Sequence, residues 1–169
     1  SKVVPIGLHE AMATRGEREM DFLMDQALLY TSKKYEEIYI YFNTKLDMKY
    51  QDLFILAASL GFKHDRKRPV GERGREFRTN YLNTKQKATA YSIILNDPEI
   101  GRNIEAFETS EFRLKARKRL EEYAEGGMEL LVEEVFGSRW DGHKLDPTYN
   151  EYEVDLLGYI YEDAMEVPF

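Results

Sequence analysis

The chain of 169 residues (19.9 kDa) contains no cysteine, which excludes disulfides, thiolate catalysis and thiolate-bound zinc and suits a reducing, cytoplasmic compartment. With 43% hydrophobic and 33% charged residues it is expected to form one soluble globular domain. The net charge of -7 divides unevenly: residues 1–120 hold 22 basic and 17 acidic side chains, whereas residues 121–169 hold 2 basic and 14 acidic ones, which predicts separate surfaces.

Residues 1–14 carry Pro5 and Gly7 without periodicity and read as an N-terminal arm ahead of a single helical domain, 15–169. They run into charged residues, unlike a secretory signal. From Glu17 onward, Met20, Leu23, Met24, Ala27 and Leu28 recur at three- and four-residue spacing, the stripe of an amphipathic helix. Tyr35, Ile38, Tyr39 and Phe42 repeat it, although residues 38–42 are also β-prone, and Asn43 and Thr44 should end it. The next stripe, residues 48–60, is apolar enough to lie at the centre of the core. Its apolar run falls well short of the ~18 residues that cross a bilayer, so no membrane partner is expected. Asp47 is placed to cap its start and Gly61 to end it in a left-handed conformation.

Residues 62–83 read as a long basic loop punctuated by Pro69, Gly71 and Gly74, with residues 76–78 allowing a short strand. Helix returns over 85–96, with Ala88, Tyr91, Ile94 and Leu95 inward. Asp97-Pro98-Glu99 combines a capping acid, a first-turn proline and a second acid, and should open a short helix to about Phe107. Phe112, Ala116, Leu120, Tyr123 and Ala124 form a further stripe. Gly126-Gly127 should break it, with Met128, Leu131, Val132, Val135 and Phe136 on a second helix. A loop over 137–144 holds Trp140, the sole tryptophan, and Asp146-Pro147 precedes a last helix defined by Tyr149, Tyr152, Leu156, Tyr159 and Ile160. The expected fold class is all-α: one compact bundle of six to seven helices with a long basic loop and at most one short strand or hairpin.

Catalytic spacing is absent. His9, His64 and His143 fall in three separate loops, and no phosphate-cradling glycine loop, dinucleotide fingerprint or nucleophile elbow occurs. Gly71-Glu72-Arg73-Gly74 reads as a flexible turn. Asp47-Met48-Lys49 and Asp65-Arg66-Lys67 match the acid-x-Lys element of metal-dependent nucleases, but a cap explains the first more simply and the second lies in the loop. Glu121-Glu122 and Glu133-Glu134 are adjacent on helices and point apart. No catalytic residue, metal site or cofactor is therefore assigned.

What stands out is cationic. Residues 63–78 hold seven basic side chains, Lys63, Arg66, Lys67, Arg68, Arg73, Arg75 and Arg78, against three acidic ones. A second cluster comprises Arg113, Lys115, Arg117, Lys118 and Arg119. The first cluster is the candidate binding surface for nucleic acid or a protein partner. Its rival is a solvated loop that pairs with the acidic C-terminal part.

Two stretches carry a resemblance: Asp52-Leu53-Phe54-Ile55-Leu56-Ala57-Ala58-Ser59-Leu60-Gly61-Phe62, followed by the basic residues and Pro69-Val70, and Leu120-Glu121-Glu122-Tyr123-Ala124-Glu125-Gly126-Gly127-Met128-Glu129-Leu130-Leu131. In that order, over residues 45–135, they resemble the Dnd system-associated proteins, small bacterial proteins encoded beside DNA phosphorothioation systems. Those systems replace a non-bridging phosphate oxygen with sulfur, and associated proteins restrict unmarked DNA. The resemblance implies a non-catalytic accessory or adaptor protein of a modification or restriction (phage-defence) system, contacting the system's other proteins, DNA, or both. It brings no catalytic residues with it. A small metal-dependent nuclease or other nucleic-acid-processing enzyme is the alternative. A helical DNA-binding regulator that reads DNA with residues 110–119 is a third.

Overall fold

In the computed structural model, which describes residues 21–24, 26–102 and 109–166, the chain runs through five α-helices and two strands. They are β1 (Leu28–Ser32), α1 (Glu36–Leu46), α2 (Tyr50–Lys63), β2 (Arg73–Arg78), α3 (Thr84–Leu95), α4 (Ser110–Leu131) and α5 (Tyr152–Met165). A π turn, Val132–Phe136, and a 3-10 turn, Gly137–Arg139, follow α4. The fold is thus mostly helical with a small antiparallel sheet rather than all-α, and five helices among the described residues replace the expected six to seven.

The centre is the pairing of α2 with α4. Leu53, Phe54, Ala57 and Ala58 of α2 are buried, as are Ala116, Leu120, Tyr123, Ala124 and Met128 of α4. Glycines let the two backbones touch. A Cβ on Gly127 would sit 1.7 Å from the Ala57 carbonyl oxygen, and one on Gly61 would sit 2.0 Å from that of Tyr123. Gly126 lies equally tight against the Arg66 backbone. Two expectations are corrected here. Gly126-Gly127 does not break the helix: α4 runs unbroken through both, because close packing outweighs their poor helix propensity of about 1 kcal/mol each. Gly61 does not end α2, which continues to Lys63; the left-handed residue is Asp65, at φ 50°.

The expected first helix is corrected where it can be seen. Its described part, residues 21–24, forms a turn, and Leu28 opens a strand. β1 pairs antiparallel with β2, Leu28 opposite Arg78, Leu29 opposite Phe77, Tyr30 opposite Glu76 and Ser32 opposite Arg73, with an irregularity between Tyr30 and Ser32. Leu29 and Phe77 face inward, Phe77 packing edge-on against Phe54 with ring centres 5.1 Å apart. Leu28 points out, the alternation of a strand rather than a helix. β2 extends the short strand expected at 76–78 and shortens the basic loop.

Other boundaries shift for local reasons. α1 continues past Asn43 and Thr44 to Leu46, and Asp47 ends it at φ 53° instead of capping α2. The Asp52 carboxylate caps α2, accepting the Lys49 amide at 3.2 Å. In α3, Ala90, Ile93 and Ile94 face the core while Ala88 and Leu95 face out. Asp97 caps the following turn, accepting the amides of Glu99 and Ile100; residues 103–108 of the expected short helix, like the arm at 1–14, lie outside the described residues. α5 begins at Tyr152, whose ring packs against Tyr41, Phe136 and Tyr149.

A candidate cationic groove

The seven basic residues of the first cluster divide into two groups. Lys63, Arg66 and Arg68 are turned toward the acidic C-terminal part. The Lys63 ammonium lies 2.9 Å from the Asp163 carboxylate, which His64 also meets at 2.6 Å. Arg66 lies 2.7 Å from Glu133 and 3.2 Å from Glu129, and Arg68 reaches Glu129 at 3.1 Å. Buried Asp163 is raised by desolvation, but the hydrogen bonds from Lys63 and His64 hold it below the usual carboxylate range.

Arg73, Arg75 and Arg78 form the second group, spaced along β2 and exposed. The Arg73 guanidinium lies 4.1 Å above the Tyr30 ring and that of Arg75 lies 4.8 Å above Tyr50. These are cation–π contacts, and among the described residues neither guanidinium makes an ion pair. Arg78 donates to the Gln26 amide oxygen at 3.1 Å. Lys67 is exposed and meets no carboxylate among the described residues.

The two basic clusters converge on one groove of about 780 Å³. β1 contributes Leu28 and Tyr30, the loop Pro69, Val70 and Gly71, β2 Arg73, and α4 Leu114, Arg117, Lys118, Glu121 and Glu122. Arg73 from the first cluster therefore faces Arg117 and Lys118 from the second across an apolar floor. Arg117 also donates to the Phe22 carbonyl at 2.9 Å, and Lys118 is exposed. The groove's acids are muted. Glu122 accepts from Arg119 at 3.0 Å. Glu121 is buried, and desolvation pushes its carboxyl up to about 7 despite the Tyr30 amide, Arg73 and Arg117, which favour the ionised form.

That Tyr30 contact, 2.8 Å, also closes the outer edge of β1. One turn further along α4, Glu125 is likewise buried and pushed up to about 7. The buried Ser32 hydroxyl nearby makes no hydrogen bond of ordinary geometry among the described residues, though it lies close enough to favour the ionised Glu125.

The sequence singled out both clusters but not their meeting, and it missed Tyr30 and Glu121 as groove residues. Tyr30 was hidden by the helical reading of its neighbourhood, and Glu121 by its adjacency to Glu122. Asp47 and Lys49 lie between α1 and α2, and His143 donates its amide to Asp141. Among the described residues no three His, Asp or Glu side chains converge as metal ligands, and no helix is long and apolar enough to cross a membrane.

The structure therefore defines a small, mostly helical protein with a two-stranded sheet and a groove in which Arg73, Arg117 and Lys118 line a partly apolar surface with Tyr30. Residues 32–146 match the family described as DNA sulphur modification system-associated protein 4, and the chain belongs to that family. The match contains the stretch 45–135 on which the resemblance rested and brings in both basic clusters; it stops short of α5. No curated protein and no solved structure matches the chain.

Proposed function

We propose that the protein is a non-catalytic accessory component of a DNA phosphorothioation-linked modification or restriction system, and that it engages the DNA backbone through the groove between β1, β2 and α4. The observation that carries the reading is the convergence of Arg73 with Arg117 and Lys118 across a floor of Leu28, Tyr30 and Leu114, in a chain of net charge -7. Cations set around a partly apolar surface suit the DNA backbone, whose phosphates meet the charges while its sugars lie against Leu28, Tyr30 and Leu114. Family membership supplies the DNA context. Arg75 and Arg78 extend the surface along β2 and Lys67 flanks it. Lys63, Arg66 and Arg68, also candidates from the sequence, stand in reserve behind their carboxylate partners.

Fluorescence anisotropy with a labelled duplex, with and without a phosphorothioate, tests this across a salt series. Affinity is expected to fall linearly on logarithmic axes, by about 0.9 per phosphate neutralised. Replacing Arg73 and Lys118 together by alanine should reduce that slope and lower stability by no more than about 1 kcal/mol, the worth of the exposed Arg73–Tyr30 contact, since neither makes an ion pair among the described residues. No binding at low salt would remove the DNA reading and leave an adaptor that meets only protein.

A further inference from the structure

α5 is apolar on two opposite faces. Tyr152, Leu156 and Tyr159 face the core. On the other side Val154, Leu157, Tyr161 and Met165 follow one another at three- and four-residue spacing, with 62%, 57%, 68% and 69% of their surface exposed. Among the described residues they are half of the large apolar side chains left in solvent. Single exposed apolar residues need no explanation, but a stripe along a whole helix does, because a helix hydrophobic all round is normally covered.

Gly158 is the second, independent observation. It lies in sequence between Leu157 and Tyr161, and no atom comes within 4 Å of where its Cβ would be. Gly61, Gly126 and Gly127 are each required by a neighbouring backbone. Gly158 weakens its helix without such a reason inside the chain. Gly158 stands at the margin of the stripe, where Val154 and Tyr161 give way to Asp155 and Glu162, and a glycine there admits the backbone of a second helix that lays apolar side chains on one side and cations on the other.

Charge selects the occupant. Beside the stripe α5 carries Glu153, Asp155 and Glu162 and no lysine or arginine, and Glu151 and Glu166 flank it; its remaining acid, Asp163, is buried against Lys63 and His64. A second copy would bring carboxylates against carboxylates. We infer that the outer face of α5 docks an amphipathic helix of a protein partner, apolar along one side and rich in lysine and arginine beside it, with its backbone crossing at Gly158. The surface is separate from the groove and does not depend on the DNA reading.

The test uses the isotope-labelled full chain and two synthetic helical peptides of roughly 21 residues, long enough to hold a helix. Both carry leucines at heptad spacing; one is flanked by lysines, its twin by glutamates. The lysine peptide is expected to shift the amide resonances of α5, and the glutamate twin to leave them in place. Leu157→Ser and Gly158→Leu should each weaken the lysine peptide by roughly tenfold or more. Leu95→Ser, an exposed site off the stripe and outside the groove, should not. Both stripe variants sit in open surface, so Gly158→Leu should melt at or above the parent and Leu157→Ser only slightly below it, by its lower helix propensity, and their DNA affinity should be unchanged. Absence of α5 shifts at millimolar peptide would overturn the proposal. So would equal binding of the twin, indifference to Gly158→Leu, or sedimentation showing a dimer that Leu157→Ser dissociates.

Discussion

A methyl group at position 127 would collide with the Ala57 carbonyl oxygen, and neither helix backbone can yield without opening the core around Leu120 and Met128. Gly127→Ala is expected to destabilise the protein by about 3 kcal/mol or more, the upper range for overpacking. Gly158→Ala should do the reverse and stabilise by about 1 kcal/mol. Urea unfolding of the two variants side by side checks both; equal effects would mean that the helix contact is looser than described. In the sequence these glycines look alike, because propensity is a local quantity and the reason for Gly127 lies on α2. The buried acids are a further residue-scale case. Glu121 and Glu125 hold protons more tightly folded than unfolded, so each costs stability as pH rises from about 4.5 to about 7, on the order of 3 kcal/mol at the top. Asp97 and Asp163 act oppositely, their stabilisation present above about 3.8 and lost as pH falls below it. Glu121→Gln and Glu125→Gln should each flatten the decline between pH 4.5 and 7 and raise the urea midpoint above pH 7. A midpoint that drops there would contradict the burial argument.

Among the elements, α4 is held to the turn after α3 by one buried acid. Arg119 donates to both Asp97 oxygens, at 3.0 and 2.9 Å, and the Tyr123 hydroxyl reaches the same carboxylate at 2.6 Å. Asp97→Ala would leave the Arg119 charge, among the described residues, with Glu122 and the exposed Glu99. The expected cost is about 3 kcal/mol, the lower end for removing one partner of a buried pair. A loss below about 1 kcal/mol in chemical denaturation would show that Glu122 suffices. The sequence showed Asp97 as a cap, which it is, because capping needs only the next few residues; the arginine it anchors is on another helix. Helical stripes such as Leu53 to Leu60 were legible for the same reason of local periodicity. β1 was not: Leu-Leu-Tyr-Thr-Ser takes its strand form from β2, beyond two intervening helices.

At the scale of the molecule, the uneven charge of the sequence folds back on itself in part. Lys63, Arg66 and Arg68 reach carboxylates of the acidic half, while Arg73, Arg75 and Arg78 face solvent. Both readings of the basic segment were legible, but the division between them depends on α4 and α5 packing beside α2, which no local pattern encodes. Glu129→Gln with Glu133→Gln should release Arg66 and Arg68. Such partly exposed pairs contribute little, so stability should change by less than about 1 kcal/mol. Under the DNA-binding proposal, affinity and salt dependence should both increase. Unchanged anisotropy curves would place Arg66 and Arg68 outside the DNA path.

The antiparallel ladder has a kinetic consequence. β1 and β2 are joined only through residues 33–72, so the sheet closes a long loop that α1 and α2 occupy, and it cannot zip from a hairpin turn. Its two strands are short and alternate exposed with buried residues, whereas α2 and α4 meet through fully buried side chains, so the strands should come apart before the α2–α4 pair does. In native-state hydrogen exchange, the Leu29 and Phe77 amides should therefore exchange through openings that leave Leu120 and Met128 protected. Because β1 and β2 supply Leu28, Tyr30 and Arg73, each such opening dissolves the groove while the helical core stays folded. A bound DNA backbone should slow exchange in the sheet first.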